Sequence, residues 1–287
     1  MTPSLTKPVP LTPTEAFLRA CRYEGRHLAA LRSTWILLSV VTVLSLLTGL
    51  TVILDLDGPE AVQASTAADA ITWTPLATQV PALCFFMLVL GTGPVSNDLV
   101  TGAARTTWLA VNGRGTAYAA KCAVGVSIGC SVAAASVIIG ALSYATALSL
   151  TGSAQPPWIA VLPAAARFIV WMGCWALWCT ATVSLLRSRV LPVILLLLWP
   201  LIAERLVGAL LGHLPGLDGI GNWLPFAVGR AMLTDASAYT GDDQSFTQTL
   251  IGSHLPTPTA TTLFCLYTAA ITAAGLASYS RRDPNSS

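Results

Sequence analysis

Residues 35–54, WILLSVVTVLSLLTGLTVIL, contain no charged side chain, and this run constrains the chain more than any other. A helix needs about 20 apolar residues to cross the hydrocarbon of a bilayer. Backbone polar groups in lipid have no water to bond, so they must be satisfied within helices or closed barrels. Further apolar runs cover about 76–94, 117–148, 163–186 and 190–211, the last interrupted by Glu204–Arg205, and an Ala- and Thr-rich sixth covers 260–280. Only 10% of residues are charged and the mean hydropathy is +0.68, whereas soluble domains carry roughly 25% charged residues. The expectation is an all-α membrane protein: one transmembrane domain over 1–287 with six transmembrane helices at about 34–54, 76–94, 117–148, 163–186, 190–211 and 260–280.

Orientation follows from the arginines and lysines. With six spans and the N-terminus inside, the inner segments hold 12 basic and 4 acidic residues, and the outer ones 3 basic and 9 acidic. The positive-inside rule then places both termini in the cytoplasm; an odd number of spans would put Arg281–Arg282 on the wrong side. No cleaved signal peptide is expected, because the first apolar run starts only at Trp35 and no small-residue cleavage site follows it. The seven cysteines (Cys21, Cys84, Cys122, Cys130, Cys174, Cys179 and Cys265) fall in predicted spans or on the inner side. They read as small packing residues without a disulfide framework.

Two segments outside the spans are patterned. Residues 12–32 predict an N-terminal amphipathic interfacial helix: Glu15, Arg19, Arg22 and Arg26 share one stripe, and Phe17, Leu18, Cys21, Leu28 and Leu31 fall mostly on the other face. Thr14, after Pro13, serves as the expected N-cap. A basic amphipathic helix leading into a span is expected to lie along the inner membrane surface. In the outer segment 212–259, GNWLPFAVGRAML predicts a helix too short to span, with Trp223 and Phe226 suited to the interface.

Several chemistries are excluded by residue type. A P-loop needs Gly-Lys-Ser/Thr, because its lysine reaches the phosphates and its hydroxyl holds magnesium. The only lysines are Lys7 and Lys121, and Lys121 precedes Cys122, so no ATP site of that kind exists. The histidines, His27, His213 and His254, are scattered, with no i,i+4 pair to hold a metal, and no GxSxG nucleophile elbow occurs. No cofactor or metal is therefore expected on this chain, and no nucleic-acid partner. Beyond Lys121 at the inner end of the third span, the charged residues within the spans are Glu204–Arg205 and Arg167, and such residues either face a cavity or partner or sit at the headgroups. Trp171, Trp175 and Trp178 form one stripe at i, i+4, i+7, either lining an apolar path or packing. Gly125, Gly129 and Ala133 make a small-residue ridge for close helix approach, within the chain or across a dimer.

The polar passage SNDLVTGAARTTWLAVNGRGTAYAAK, residues 96–121, carries a pattern of its own. Asp98 and Gly102 precede Arg105–Thr106–Thr107; a hydrophobic stretch 109–111, the turn Arg114–Gly115 and Ala119–Ala120–Lys121 follow. With LRSTW (31–35), PLIAE ending in Glu204, WLPFAVGRAM, and Arg281–Arg282–Asp283 after the last span, this order resembles the permease subunits of bacterial ABC exporters of the ABC-2 type. The chain departs from their pattern at Val100–Thr101, where a basic pair is usual, and at Asn112–Gly113, where a proline often stands. The resemblance implies an amphipathic elbow helix, a cytoplasmic coupling helix between spans 2 and 3 within the loop 95–116, and short re-entrant outer helices between spans 5 and 6. It also implies partners: two copies of an ATP-binding subunit, which carry the ATP and magnesium, and a second permease, identical or homologous. Contact with the ATP-binding subunit is expected from Asp98, Thr101, Gly102, Arg105, Asn112 and Arg114. If 98–111 is helical, Asp98, Thr101, Arg105 and Asn112 fall on one side, and Val100, Ala104, Trp108 and Val111 on another, so one side can face a soluble partner while the other rests on the bundle.

The function expected is export of a hydrophobic or amphiphilic small molecule across a bacterial plasma membrane, with Glu204, Trp171, Trp175 and Trp178 as candidate pathway residues. Two other classes fit the composition: an ion-coupled secondary transporter, for which only Glu204 offers a proton-coupling carboxylate, and a non-transporting anchor or sensor subunit.

Overall fold

The computed structural model describes residues 12–55, 62–72, 81–101, 113–186, 188, 190–217, 219–239 and 241–281. Among them every regular element is a helix: α1 (Pro13–Ala30), α2 (Arg32–Asp55), α3 (Ala64–Ile71), α4 (Leu83–Thr101), α5 (Arg114–Thr151), α6 (Trp158–Leu186), α7 (Leu191–Leu198), α8 (Glu204–Gly212), α9 (Pro225–Leu233), α10 (Asp242–Ile251) and α11 (Thr257–Ser280). Among the described residues five stretches are long and apolar enough to cross a membrane: Arg32–Thr51, Arg114–Thr151, Trp158–Leu186, Leu191–Gly212 and Thr257–Ser280. The Ala- and Thr-rich last run thus qualifies, at a mean hydropathy of 1.5 over its best window, and Leu83–Gly93 of α4 forms a shorter apolar stretch. At 1.5 Å per residue the 38 residues of α5 extend about 57 Å, nearly twice a hydrocarbon core of about 30 Å.

The bundle is organised around α6, 67% of whose most apolar window is buried. It packs against α4, α5 and α11, while α2 lies along α5. The close approach of α5 and α6 comes from the small-residue ridge: a Cβ on Gly129 would stand 2.7 Å from the Met172 carbonyl oxygen, and one on Gly125 would touch Ala176 at 3.7 Å. The ridge therefore serves packing inside the chain. Hydroxyls tie α2 to α5, where lipid-like surroundings supply no hydrophobic drive of their own. Ser45 and Ser136 share a 2.9 Å hydrogen bond, Thr48 donates to the Gly140 carbonyl at 3.3 Å, and Ser143 donates to the Leu46 carbonyl.

The tryptophan stripe is core. Trp171 and Trp175 are fully buried and Trp178 nearly so. Their indole N–H groups donate to Cys84 Sγ, the Cys84 carbonyl and Thr268 Oγ1 respectively, at 3.0–3.1 Å, as buried indoles require. Trp171 stacks on Phe264 with centroids 4.4 Å apart, and Phe226 meets all three tryptophans edge-on or tilted. Phe226, expected at an interface, is thus 2% exposed in this cluster, while Trp223 is 53% exposed. Gly229, one turn after Phe226, is where α9 touches the Trp171 ring, and a Cβ there would collide with it.

Helix α1 differs in two respects from its expectation. Its N-cap is Thr12, not Thr14: Pro13 takes the first helical position, and Thr12 and Glu15 form a reciprocal capping box, the arrangement that satisfies two orphan donors at once. The Thr12 hydrogen bonds hold the exposed Glu15 carboxyl below its ordinary pKa, so the capping charge is present at neutral pH and is lost only as pH falls through that lowered value. The buried face also differs in part: Leu28 is buried and Phe17 and Cys21 are partly buried, as expected, but the stripe is centred on small residues and Glu24. Ala16, Ala20, Glu24 and Leu28 face inward, and Leu18 is half exposed beside the arginines.

Away from α1, at the opposite end of the bundle, the short helices α3, α9 and α10 close over the core. Tyr239 donates to Asp69 at 2.5 Å and so joins the segment after α9 to α3; burial first, then this bond, pushes the phenol up and keeps it a donor. The Gly229 contact has a measurable consequence. Gly229→Ala is expected to lower stability by about 1–3 kcal/mol through overpacking, read as earlier thermal unfolding in detergent. Gly115→Ala, whose Cβ would meet nothing within 4 Å, is expected to leave the transition in place or raise it slightly.

Candidate functional site

Pro200 has no N–H to offer the carbonyl four residues back, and the helix loosens into a π turn over Trp199–Ala203 before continuing as α8. Such a turn inserts one residue into the helical register and commonly marks a functional position. Glu204 follows directly and is 1% exposed. Its carboxylate accepts from the backbone N–H of Phe226 at 3.0 Å and from that of Ala227, the first free donors of α9. A helix N-terminus carries orphan N–H groups and a partial positive charge, so it receives an anion readily.

The countercharge is Arg230, one turn further along α9. Its guanidinium lies 3.6 Å from Glu204 Oε1, donates through Nε to the Ile251 carbonyl at 2.9 Å, and through Nη1 to the Pro200 carbonyl at 3.3 Å. Arg230 therefore joins α9 to the π turn on one side and to the end of α10 on the other. Gly252 ends α10 in the left-handed conformation, φ 71°, which favours glycine, and a Cβ there would approach the Arg230 guanidinium at 3.6 Å. Beside this pair opens a cavity of ≈380 Å³ bordered by Glu204, Arg205, Asn222, Arg230 and Thr249, within the range of small-molecule sites. Arg205, half-buried, donates to the Leu250 carbonyl at 3.2 Å.

Glu204, expected as a pathway residue beside Arg205, thus borders a cavity but is paired with a residue 26 positions on. Arg230 was the missing element. Its signal was present as the one charged residue of an apolar helix too short to span, opposite the one carboxylate of the fifth apolar run. Arg167, in α6, is half-buried. Trp171, Trp175 and Trp178 pack in the core described above.

The other end of the bundle holds a second buried pair. Lys121 Nζ and Glu24 Oε1 lie 2.5 Å apart, at 5% and 3% exposure, between α5 and α1. Arg114, at the first turn of α5, donates to the Ser280 carbonyl at the end of α11. Tyr118 donates to the Thr272 carbonyl at 3.2 Å and its ring lies 5.4 Å from that of Tyr279. Asp98 and Thr101 belong to the last turns of α4; Gly102, Arg105 and Asn112 lie outside the described residues. Arg19, Arg22 and Arg26 are exposed along α1. Among the described residues no group of three His, Cys, Asp or Glu side chains is placed to hold a metal ion.

No protein-family model matches the chain, and no curated protein matches it.

Removing one partner of a buried ion pair leaves the other charge uncompensated, at a cost of about 3–5 kcal/mol, whereas replacing both with apolar groups is often neutral. Glu204→Leu and Arg230→Met are each expected to destabilise the purified protein by that amount, and the double variant to recover most of it. Additive losses in thermal unfolding would show that the two side chains do not act as a pair.

Proposed function

We propose that the chain is the membrane-spanning permease subunit of an ATP-driven exporter of the ABC-2 type. In this reading the six apolar helices α2, α4, α5, α6, α7–α8 and α11 cross a bacterial plasma membrane with both termini cytoplasmic, and α9 and α10 re-enter from the outer side. The chain pairs with a second permease and with two copies of an ATP-binding subunit, and it moves a hydrophobic or amphiphilic small molecule.

The observation that carries the reading is the joining of α1, α5 and α11 at one end of the bundle. The segment 102–112, which holds the Arg105–Thr106–Thr107 motif, leads directly into that joint. Arg114 binds the end of α11, Tyr118 binds one turn deeper, and Lys121 binds α1. A displacement of the segment by a docked ATPase would therefore reach three helices together. An ion-coupled transporter needs a carboxylate that exchanges protons during turnover. The two buried carboxylates among the described residues, Glu24 and Glu204, are both held in ion pairs, which favours an external energy source.

Two outcomes test this. The chain purified alone is expected to hydrolyse no ATP, and to be recovered with a separate ATPase when both are expressed. In the assembled complex reconstituted in vesicles, Arg105→Glu is expected to cut transport at least tenfold while ATP hydrolysis and expression persist. Unchanged transport in that variant would remove the coupling role of the segment.

A further inference from the structure

The outward face of α1 has a chemistry that the packing of the bundle does not use. Its rotation is set from the inside: Ala16, Ala20, Glu24 and Leu28 sit against α5, and Glu24 is locked to Lys121. At 3.6 residues per turn, Arg19, Arg22 and Arg26 then fall within an arc of about 60° on the side opposite that stripe. All three are exposed. Together with Tyr23 and His27, whose rings stack nearly parallel at 6.3 Å, they border an open hollow of ≈530 Å³. Among the described residues none of the three guanidiniums has a carboxylate within ion-pair distance.

The level of this hollow along the molecule is also fixed. Thr34 Oγ1 donates to the Leu28 carbonyl and Trp35 Nε1 to the Ala29 carbonyl, so α1 turns directly into α2 with its last carbonyls satisfied. Trp35 and Ile36 are 62% and 63% exposed and open the apolar surface of α2. A tryptophan there marks the boundary between water and hydrocarbon. The arginines thus stand at headgroup height, next to a lipid-facing helix, with Leu18 and Tyr23, each half exposed, on the same face.

We propose that the Arg19–Arg22–Arg26 face of α1 is a binding site for anionic phospholipid headgroups. The guanidinium forks match the non-bridging oxygens of a phosphodiester, and Leu18 and the Tyr23 ring contact the glycerol and upper acyl region. A soluble acidic protein would satisfy the arginines, but it would not give the half-exposed Leu18 and Tyr23 the apolar contact that a lipid's upper acyl region supplies. The site is independent of the transport reading, because it needs only this chain and a lipid leaflet.

The test uses the full chain in detergent mixed with equimolar phosphatidylglycerol and phosphatidylcholine, with retained lipids counted by native mass spectrometry. The wild type is expected to retain phosphatidylglycerol preferentially; equal retention of the two lipids would overturn the proposal without any variant. A juxtamembrane basic residue contributes about 1 kcal/mol to anionic-lipid binding, so Arg22→Gln/Arg26→Gln is expected to weaken phosphatidylglycerol retention about thirtyfold. Arg281→Gln, which removes a charge from the end of α11, is expected to change it little. Inorganic phosphate at millimolar concentration is expected not to displace the lipid; full displacement would assign the face to free anions and overturn the lipid site. A double variant that keeps its lipid preference but no longer recovers the ATPase would make the face a protein dock, and would equally overturn it.

Discussion

A charge carried into an apolar bundle must find its countercharge inside the same chain, because neither lipid nor core can solvate it. Among the described residues this demand is met twice, once at each end. Glu204 is held by Arg230 and the first N–H groups of α9, and Glu24 is held by Lys121. Each pair joins helices that are distant in sequence, so each also selects a packing. Without Glu204, α9 would have no reason to point its N-terminus at the π turn. Without Lys121, the small-residue stripe of α1 would have little to fix its rotation against α5.

The two pairs sit at opposite ends of a core whose other buried polar side chains, among the described residues, are hydroxyls of Ser and Thr. Between them, α6 presents its tryptophans to α4, α9 and α11, and each indole N–H finds an acceptor on another helix or beside it. The same rings receive Phe226 and the bare backbone of Gly229, so α9 is seated by shape as well as by charge. Packing and electrostatics thus agree on one position for α9. That agreement is what allows a nine-residue helix, too short to be stable alone, to be part of the core.

Much of this was legible in the sequence, and the parts that were not have a common cause. The apolar runs announced the long helices because burial in lipid needs only length and hydropathy, and both are local. The ridge at Gly125 and Gly129 announced a close contact, but not its partner, since Met172 and Ala176 lie more than forty residues away. The N-cap was misplaced by two residues because Thr12 and Thr14 flank the same proline, and only the reciprocal bond to Glu15 distinguishes them. On α1 the expected apolar residues Leu28, Phe17 and Cys21 do turn inward, but Leu18 is half exposed and Ala20 buried, because close approach to α5 favours alanine. Arg230 and Lys121 were visible as isolated charges in apolar surroundings. Their partners were not, because a pairing across 26 or 97 residues has no periodicity to betray it.

The arrangement also explains why the chain keeps charges that a simpler bundle would omit. A buried pair replaced by apolar residues of similar volume often costs no stability, so stability alone does not account for Glu24–Lys121 or Glu204–Arg230. What such a pair supplies is a defined geometry with directional bonds, which apolar packing gives less sharply. At one end that geometry ties α1 to the start of α5, directly after the segment 102–112. At the other it borders the cavity beside Asn222 and Thr249. Helix α5, which begins at the first of these places, is the longest among the described residues, and it packs on α6 along the glycine ridge, where the two backbones approach closely. Helix α6 in turn meets α9 where the Trp171 ring lies against Gly229, so α5 and α9 are seated on the same central helix.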